Sequence, residues 1–205
     1  MNPVTRAWRA WLDSKMSAKL WEQMRSTLDA TAPRDCGGVL FLGDSITILG
    51  RWELLFPGLR VLNFGIPGER SEHLLARLEP VVRVRPDKLF LMIGTNDLSR
   101  GVPVPDIASN VEKILVELRR ELPECRLFLQ TVLPCRRKLA PQIQDLNARY
   151  AAIAASQGLS LIDLYPLFDD GSGQIRRELS NDQLHLLGPG YAIWGRAIVP
   201  AVLGS

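Results

Sequence analysis

The chain has 205 residues, 46% of them hydrophobic and 23% charged, which suits one domain with a full core. A net charge of +3 without a dense run of Lys and Arg gives no footprint for nucleic acid or an acidic membrane, and Arg136-Arg137-Lys138 reads as a solvated loop. Three cysteines (Cys36, Cys125, Cys135) without CxxC spacing and only two histidines (His73, His185) speak against a disulfide framework and against zinc; a reducing compartment and no catalytic transition metal are expected.

Residues 1–36 form the first unit. Val4, Trp8, Trp11, Leu12, Trp21, Met24 and Leu28 fall roughly on one helical stripe. One reading is one or two amphipathic helices packed on the main domain. The other is a subunit or partner contact, such as a homodimer, through exposed tryptophan. Charges recur every few residues over the first twenty, so no signal-peptide core is expected, and no window approaches membrane-spanning length. The expected location is the cytoplasm, without membrane insertion.

From residue 37 to 205 short apolar runs alternate with helical patterns. GVLFLG (38–43), RVLNF (60–64), KLFLMIG (88–94), RLFLQTV (126–132) and LSLIDL (159–164) are of strand length and apolar on both faces, the pattern of strands covered by helices on each side. Helices are expected over 104–122, with Ile107, Val111, Ile114, Leu115 and Leu118 at three-to-four spacing, over 141–157, with Ile143, Leu146, Tyr150 and Ile153, and over about 190–203. This alternation predicts an α/β fold with a five-stranded parallel sheet, in the flavodoxin-like order 2-1-3-4-5.

In that order strand 1 lies between strands 2 and 3, and ligands bind beyond the carboxyl ends where the order reverses. Strand 1 runs into Gly43-Asp44-Ser45, strand 2 leads to Gly68, and strand 3 leads to Gly94-Thr95-Asn96-Asp97. Ser45 offers a hydroxyl, Gly68 a backbone N–H free of side-chain obstruction, and Asn96 an amide donor, a set suited to a tetrahedral oxyanion. The missing base is supplied by Asp182-Gln183-Leu184-His185, where the carboxylate can reach back to Nδ1 and leave Nε2 for the serine. Taken singly each motif has a plainer reading. Gly-Asp-Ser is a turn, Gly-Thr-Asn-Asp caps the following helix, and Asp-x-x-His is surface polarity. Asp44 and Asp97 are expected to bond loop backbone, and His73 to be a partly exposed helix residue. The joint order of the four segments favours chemistry.

Together these segments resemble the blocks of the SGNH (GDSL-type) hydrolases, over roughly residues 38–203. LNFGIPGERSEHLLARL (62–78) and LFLMIGTNDL (89–98) are most similar to the branch holding the platelet-activating-factor acetylhydrolase catalytic subunits and bacterial sialate O-acetylesterase-like acylesterases. The resemblance implies a three-layer α/β/α sandwich and a serine esterase acting on a small-molecule short-chain acyl ester, acetyl above all, through an acyl-enzyme. It implies Ser45 as nucleophile, His185 as base and Asp182 as its orienter. It also implies Ser45 N–H, Gly68 N–H and the Asn96 side chain as oxyanion donors, and no metal or organic cofactor. Two departures flank the motifs. Glu69-Arg70 follows Gly68 where a GDT-like continuation is expected, and Gln183 stands where DGLHL has glycine. Arg70 could present a cation to an anionic alcohol part, or be a solvated loop residue. Two rivals stand beside the esterase: a silent sandwich kept for binding or scaffolding, and a flavodoxin-type phosphate or flavin binder. The second lacks a small-residue loop at a helix start after strand 1.

Overall fold

The computed structural model describes residues 19–204. In chain order, α1 (residues 19–31) precedes β1 (Val39–Gly43), and the short α2 (Ser45–Ile48) and α3 (Trp52–Leu55) lead to β2 (Val61–Gly65). Then α4 (Ser71–Leu75) and α5 (Glu79–Val84) lead to β3 (Lys88–Met92), and α6 (Thr95–Ser99) and α7 (Val104–Glu121) to β4 (Arg126–Gln130). The last crossover, α8 (Ala140–Gln157), enters β5 (Ser160–Ile162), and α9 (Tyr165–Phe168) and α10 (Gly188–Leu203) follow. All pairings are parallel and the strand order is 2-1-3-4-5.

The alternation of side chains along the central strands explains why both faces are apolar. Leu40 and Leu42 of β1, Leu89 and Leu91 of β3, and Leu127 and Leu129 of β4 face one core with Leu74, Val81, Ile107, Ile114 and Leu146. Val39 and Phe41, Phe90 and Met92, and Phe128 face the other with Ile46, Trp52, Phe168 and Trp194. In that second core the register places Phe41 opposite Phe90 and Phe90 opposite Phe128. Their rings stack at 5.2 and 4.6 Å, and Trp52 lies on Phe41 at 4.0 Å. Each fully buried Leu, Ile or Phe contributes about 1.5–3 kcal/mol, so the doubly covered centre is the rigid part of the sheet. β5 departs from the expected pattern. Ser160 is exposed and Leu161 and Ile162 are half-buried, because it is an edge strand three residues long.

Of the stripe read over residues 1–36, Val4, Trp8, Trp11 and Leu12 lie outside the described residues. Trp21, Met24 and Leu28 lie in α1, where Leu28 packs against the first core and Arg83 donates to the Asp29 carbonyl at 2.6 Å. No helix among the described residues is long and apolar enough to cross a membrane.

Candidate active site

Ser45 opens α2, a helix of four residues and too short to hold itself. Its start is sealed by the Asp44 carboxylate, which accepts the Ile46 N–H at 2.9 Å. Its carbonyls are satisfied from three other elements. Tyr191 Oη donates to Ile46 O at 2.7 Å, Trp52 Nε1 to Thr47 O at 2.9 Å, and Asn63 Nδ2 to Ile48 O at 3.1 Å. Gly43 makes the turn possible, because a Cβ there would sit 2.3 Å from Met92 O and 2.3 Å from Thr47 Oγ1. The buried strand thus ends in a small residue for a packing reason. The backbone of residue 43 is pressed against β3, and Ser45 is carried, half-buried, onto the carboxyl rim.

Asn96 comes to the same rim on α6, and its Nδ2 donates to Asp44 Oδ2 at 3.2 Å and to Glu69 O at 3.0 Å. It does not cap its own helix. The N-cap is Gly94, without a side-chain bond, so the capping reading of Gly-Thr-Asn-Asp is not what is observed. Asp97 instead caps α4, accepting Ser71 N–H at 3.0 Å and Ser71 Oγ–H at 2.7 Å. Gly68 adopts φ +74°, a conformation that favours glycine, in the loop between β2 and α4. Among the described residues neither the Ser45 N–H nor the Gly68 N–H has an acceptor. Burial pushes the Asp44 carboxyl up to about 7, against the pull of the Ile46 N–H, with Glu69 adding to the rise.

Asp182 and His185 occupy a loop between Leu179 and α10. Asp182 Oδ1 accepts the N–H groups of Leu184 and His185 at 2.9 and 2.8 Å, and Oδ2 meets His185 Nδ1 at 2.7 Å. His185 Nε2 then lies 3.0 Å from Ser45 Oγ. A carboxylate on Nδ1 and a hydroxyl on Nε2 assign the proton to Nδ1, leaving Nε2 as acceptor. Burial raises the Asp182 carboxyl, but the imidazole and the two N–H groups outweigh it and hold the group at about 2. Gln183 takes φ +62°, the left-handed conformation, which explains why glycine suits that position.

Ser45, His185 and Asp182 are therefore joined in a row by hydrogen bonds, Asn96 bonds the side chain of Asp44, the residue before Ser45, and Gly68 adjoins Glu69, whose carbonyl Asn96 holds. Arg70 is occupied: its Nη2 meets His73 Nε2 at 2.9 Å and pairs with Glu72, so its charge is largely answered locally. His73 is half-buried, beside the Trp21 ring at 4.9 Å, and burial lowers its pKa, with Arg70 adding to the fall. Sequence reasoning missed Tyr191, Trp52 and Asn63 behind α2 and the buried pair Glu69–Arg77. Nothing local marks them, since each acts on a partner at least five positions away.

A parallel 2-1-3-4-5 sheet between helical layers, with a hydroxyl and an imidazole in contact at its carboxyl rim, is the architecture of the α/β/α acylhydrolases. Residues 41–193 match the model of the GDSL-like lipase/acylhydrolase family. The chain belongs to that family and is a carboxylic ester hydrolase of the SGNH group. It is 30% identical over 171 residues to the platelet-activating factor acetylhydrolase IB subunit alpha1 of Pongo abelii, spanning 78% of this chain and 73% of that protein. Among solved structures, a Streptococcus pneumonia protein described by the words platelet activating factor superposes with a TM-score of 0.85 at 26% identity, over 96% of this chain and 99% of that one. The lipase/acylhydrolase from Enterococcus faecalis does so with a TM-score of 0.68 at 27% identity, over 81% and 95%.

Proposed function

We propose that Ser45 is the nucleophile of a Ser-His-Asp triad that hydrolyses short-chain acyl esters, acetyl esters first among them. The observation that carries the reading is the 3.0 Å contact between Ser45 Oγ and a His185 imidazole whose other nitrogen is held by Asp182. His185 takes the hydroxyl proton as the serine attacks the ester carbonyl, then gives it to the departing alcohol. The oxyanion is met by the unpartnered N–H groups of Ser45 and Gly68, and by the Asn96 amide as it turns one N–H away from Asp44. Water activated by the same imidazole then releases the acid from the acyl-enzyme. The acetyl preference draws on the acetylhydrolase activity named for the relative reported above. Fluorophosphonate labelling with mass mapping, followed by an acyl-length series of p-nitrophenyl esters, tests the reading. Label on Ser45 and turnover falling with chain length are expected. No label and no turnover in folded protein would favour a silent binding protein.

We further propose a cytoplasmic location, on the strength of three free thiols, and a main unit of residues 37–205 on which the amino-terminal segment packs through α1. Sizing the chain with and without the residues before Arg34 checks this, and a change in oligomeric state would point to the homodimer contact instead.

A further inference from the structure

The most deeply buried ion pair in the described chain lies outside the triad. Glu69 and Arg77 are 0% and 2% exposed. Arg77 Nε donates to Glu69 Oε1 at 2.5 Å, its Nη2 donates to Oε2, and Nη2 also donates to Phe64 O at 2.7 Å. Trp21 of α1 completes the carboxylate, donating from Nε1 to Oε1 at 3.1 Å. The backbone of the same glutamate faces the site. Its carbonyl accepts the Asn96 amide at 3.0 Å, and its peptide follows directly on Gly68.

We propose that Glu69 is a positioning residue for the oxyanion site, clamped by Arg77 and Trp21 so that the Gly68 N–H and the Asn96 amide keep a fixed separation. This rests on the esterase reading above. The loop from Gly65 to Ser71 has little to hold it internally: Gly68 is in a left-handed conformation, and between the Ile66 N–H, bonded to Gly43 O at 3.0 Å, and the Arg70 carbonyl, which accepts the Leu74 N–H, its own backbone makes a 3.2 Å bond from Glu69 N to Ile66 O. Arg77 spans it from the end of β2 at Phe64 to the tip at Glu69, as a strut does. A buried ion pair is a weak source of stability, since well-packed apolar residues of similar volume serve at least as well. What it supplies is direction, because the bidentate guanidinium fixes the plane of the carboxylate and hence the peptide behind it. Burial pushes the Glu69 carboxyl upward, and the hydrogen bonds from Arg77 and Trp21 oppose that rise. By the same contacts α1 becomes part of the support of the site.

The test is steady-state kinetics on p-nitrophenyl acetate, normalised by active-site titration, together with thermal melts, for full-length W21F, E69Q and the uncharged pair E69M/R77M, with S45A as control. W21F keeps the ring beside His73 and drops one donor; kcat is expected to fall about fivefold with KM and Tm nearly unchanged. E69Q is expected to lower kcat by about 10²-fold, on the scale of a lost oxyanion donor. E69M/R77M should recover the Tm lost in E69Q but not kcat. Wild-type kcat in W21F, a loss confined to KM, or recovery of kcat along with Tm in the double variant would overturn the positioning role while the esterase reading stands. Turnover persisting in S45A would overturn both.

Discussion

Asp44, Glu69 and Asp97 stand behind the strand ends with at most 1% of their surface exposed, whereas Asp182 and His185 stand on a loop with 46% and 34% of their side chains open to solvent. The strand-end carboxylates hold donors from other elements: Asp44 the Asn96 amide, Glu69 the Arg77 guanidinium, Asp97 the Ser71 N–H. Asp182 holds its own turn, through the N–H groups two and three residues on. One half of the site is thus set by the sheet and its buried charges, and the other by a local turn in water. Buried partners cannot be replaced by solvent when removed, while a half-exposed carboxylate can be partly replaced. The two halves should therefore respond unequally to equivalent changes.

The largest expected effect does not separate the halves, because it falls on the contact between them. Ser45→Ala and His185→Ala should each lower kcat by about four to six orders of magnitude, and the double variant no further, as expected for the proposed nucleophile and base of one unit. Asn96→Ala, on the buried side, should lower kcat by about 10²–10³-fold with little change in KM. Asp182→Asn should cost about 10²-fold, well short of the roughly 10⁴-fold seen for a buried triad carboxylate; a loss equal to that of Ser45→Ala would break the comparison. Stability separates the halves by pH. The Asp44 carboxyl is raised from 3.8 to about 7, so between those values the folded state binds the extra proton and stability falls as pH rises. Asp44→Asn should flatten that decline, leaving Tm unchanged near pH 4 and raised near pH 8; melts across the range check it. The smallest effect is on the loop. Gln183 in a left-handed conformation costs roughly 1–2 kcal/mol, partly offset by the unfolded-state freedom of glycine, so Gln183→Gly should raise Tm by about 1–3 °C.

The long elements were legible because their periodicity is strong. Ile107, Val111, Ile114, Leu115 and Leu118 repeat along one face of α7, and all are buried. The α8 pattern behaves likewise, with Ile143, Leu146, Tyr150 and Ile153 buried. The short helices α2, α3, α6 and α9 carry no such repeat, because four or five residues complete barely one turn. The Asp-x-x-His spacing predicted a reach back to Nδ1, and that contact is local enough to be set by a single turn. The acceptors chosen by Asn96, by contrast, come from residues 44 and 69, and no spacing rule connects them.

By itself the sequence determined the strand order and the rim to which Ser45, Gly68, Asn96 and His185 would be carried. Apolar periodicity and parallel crossovers leave few other arrangements. Only the tertiary structure decided which groups hold those residues in place. Tyr191 on the Ile46 carbonyl, Arg77 on Glu69 and Trp21 across the chain from it are contacts over 145, 8 and 48 positions. Their strength depends on burial and orientation, and neither exists until the helices have closed on the sheet.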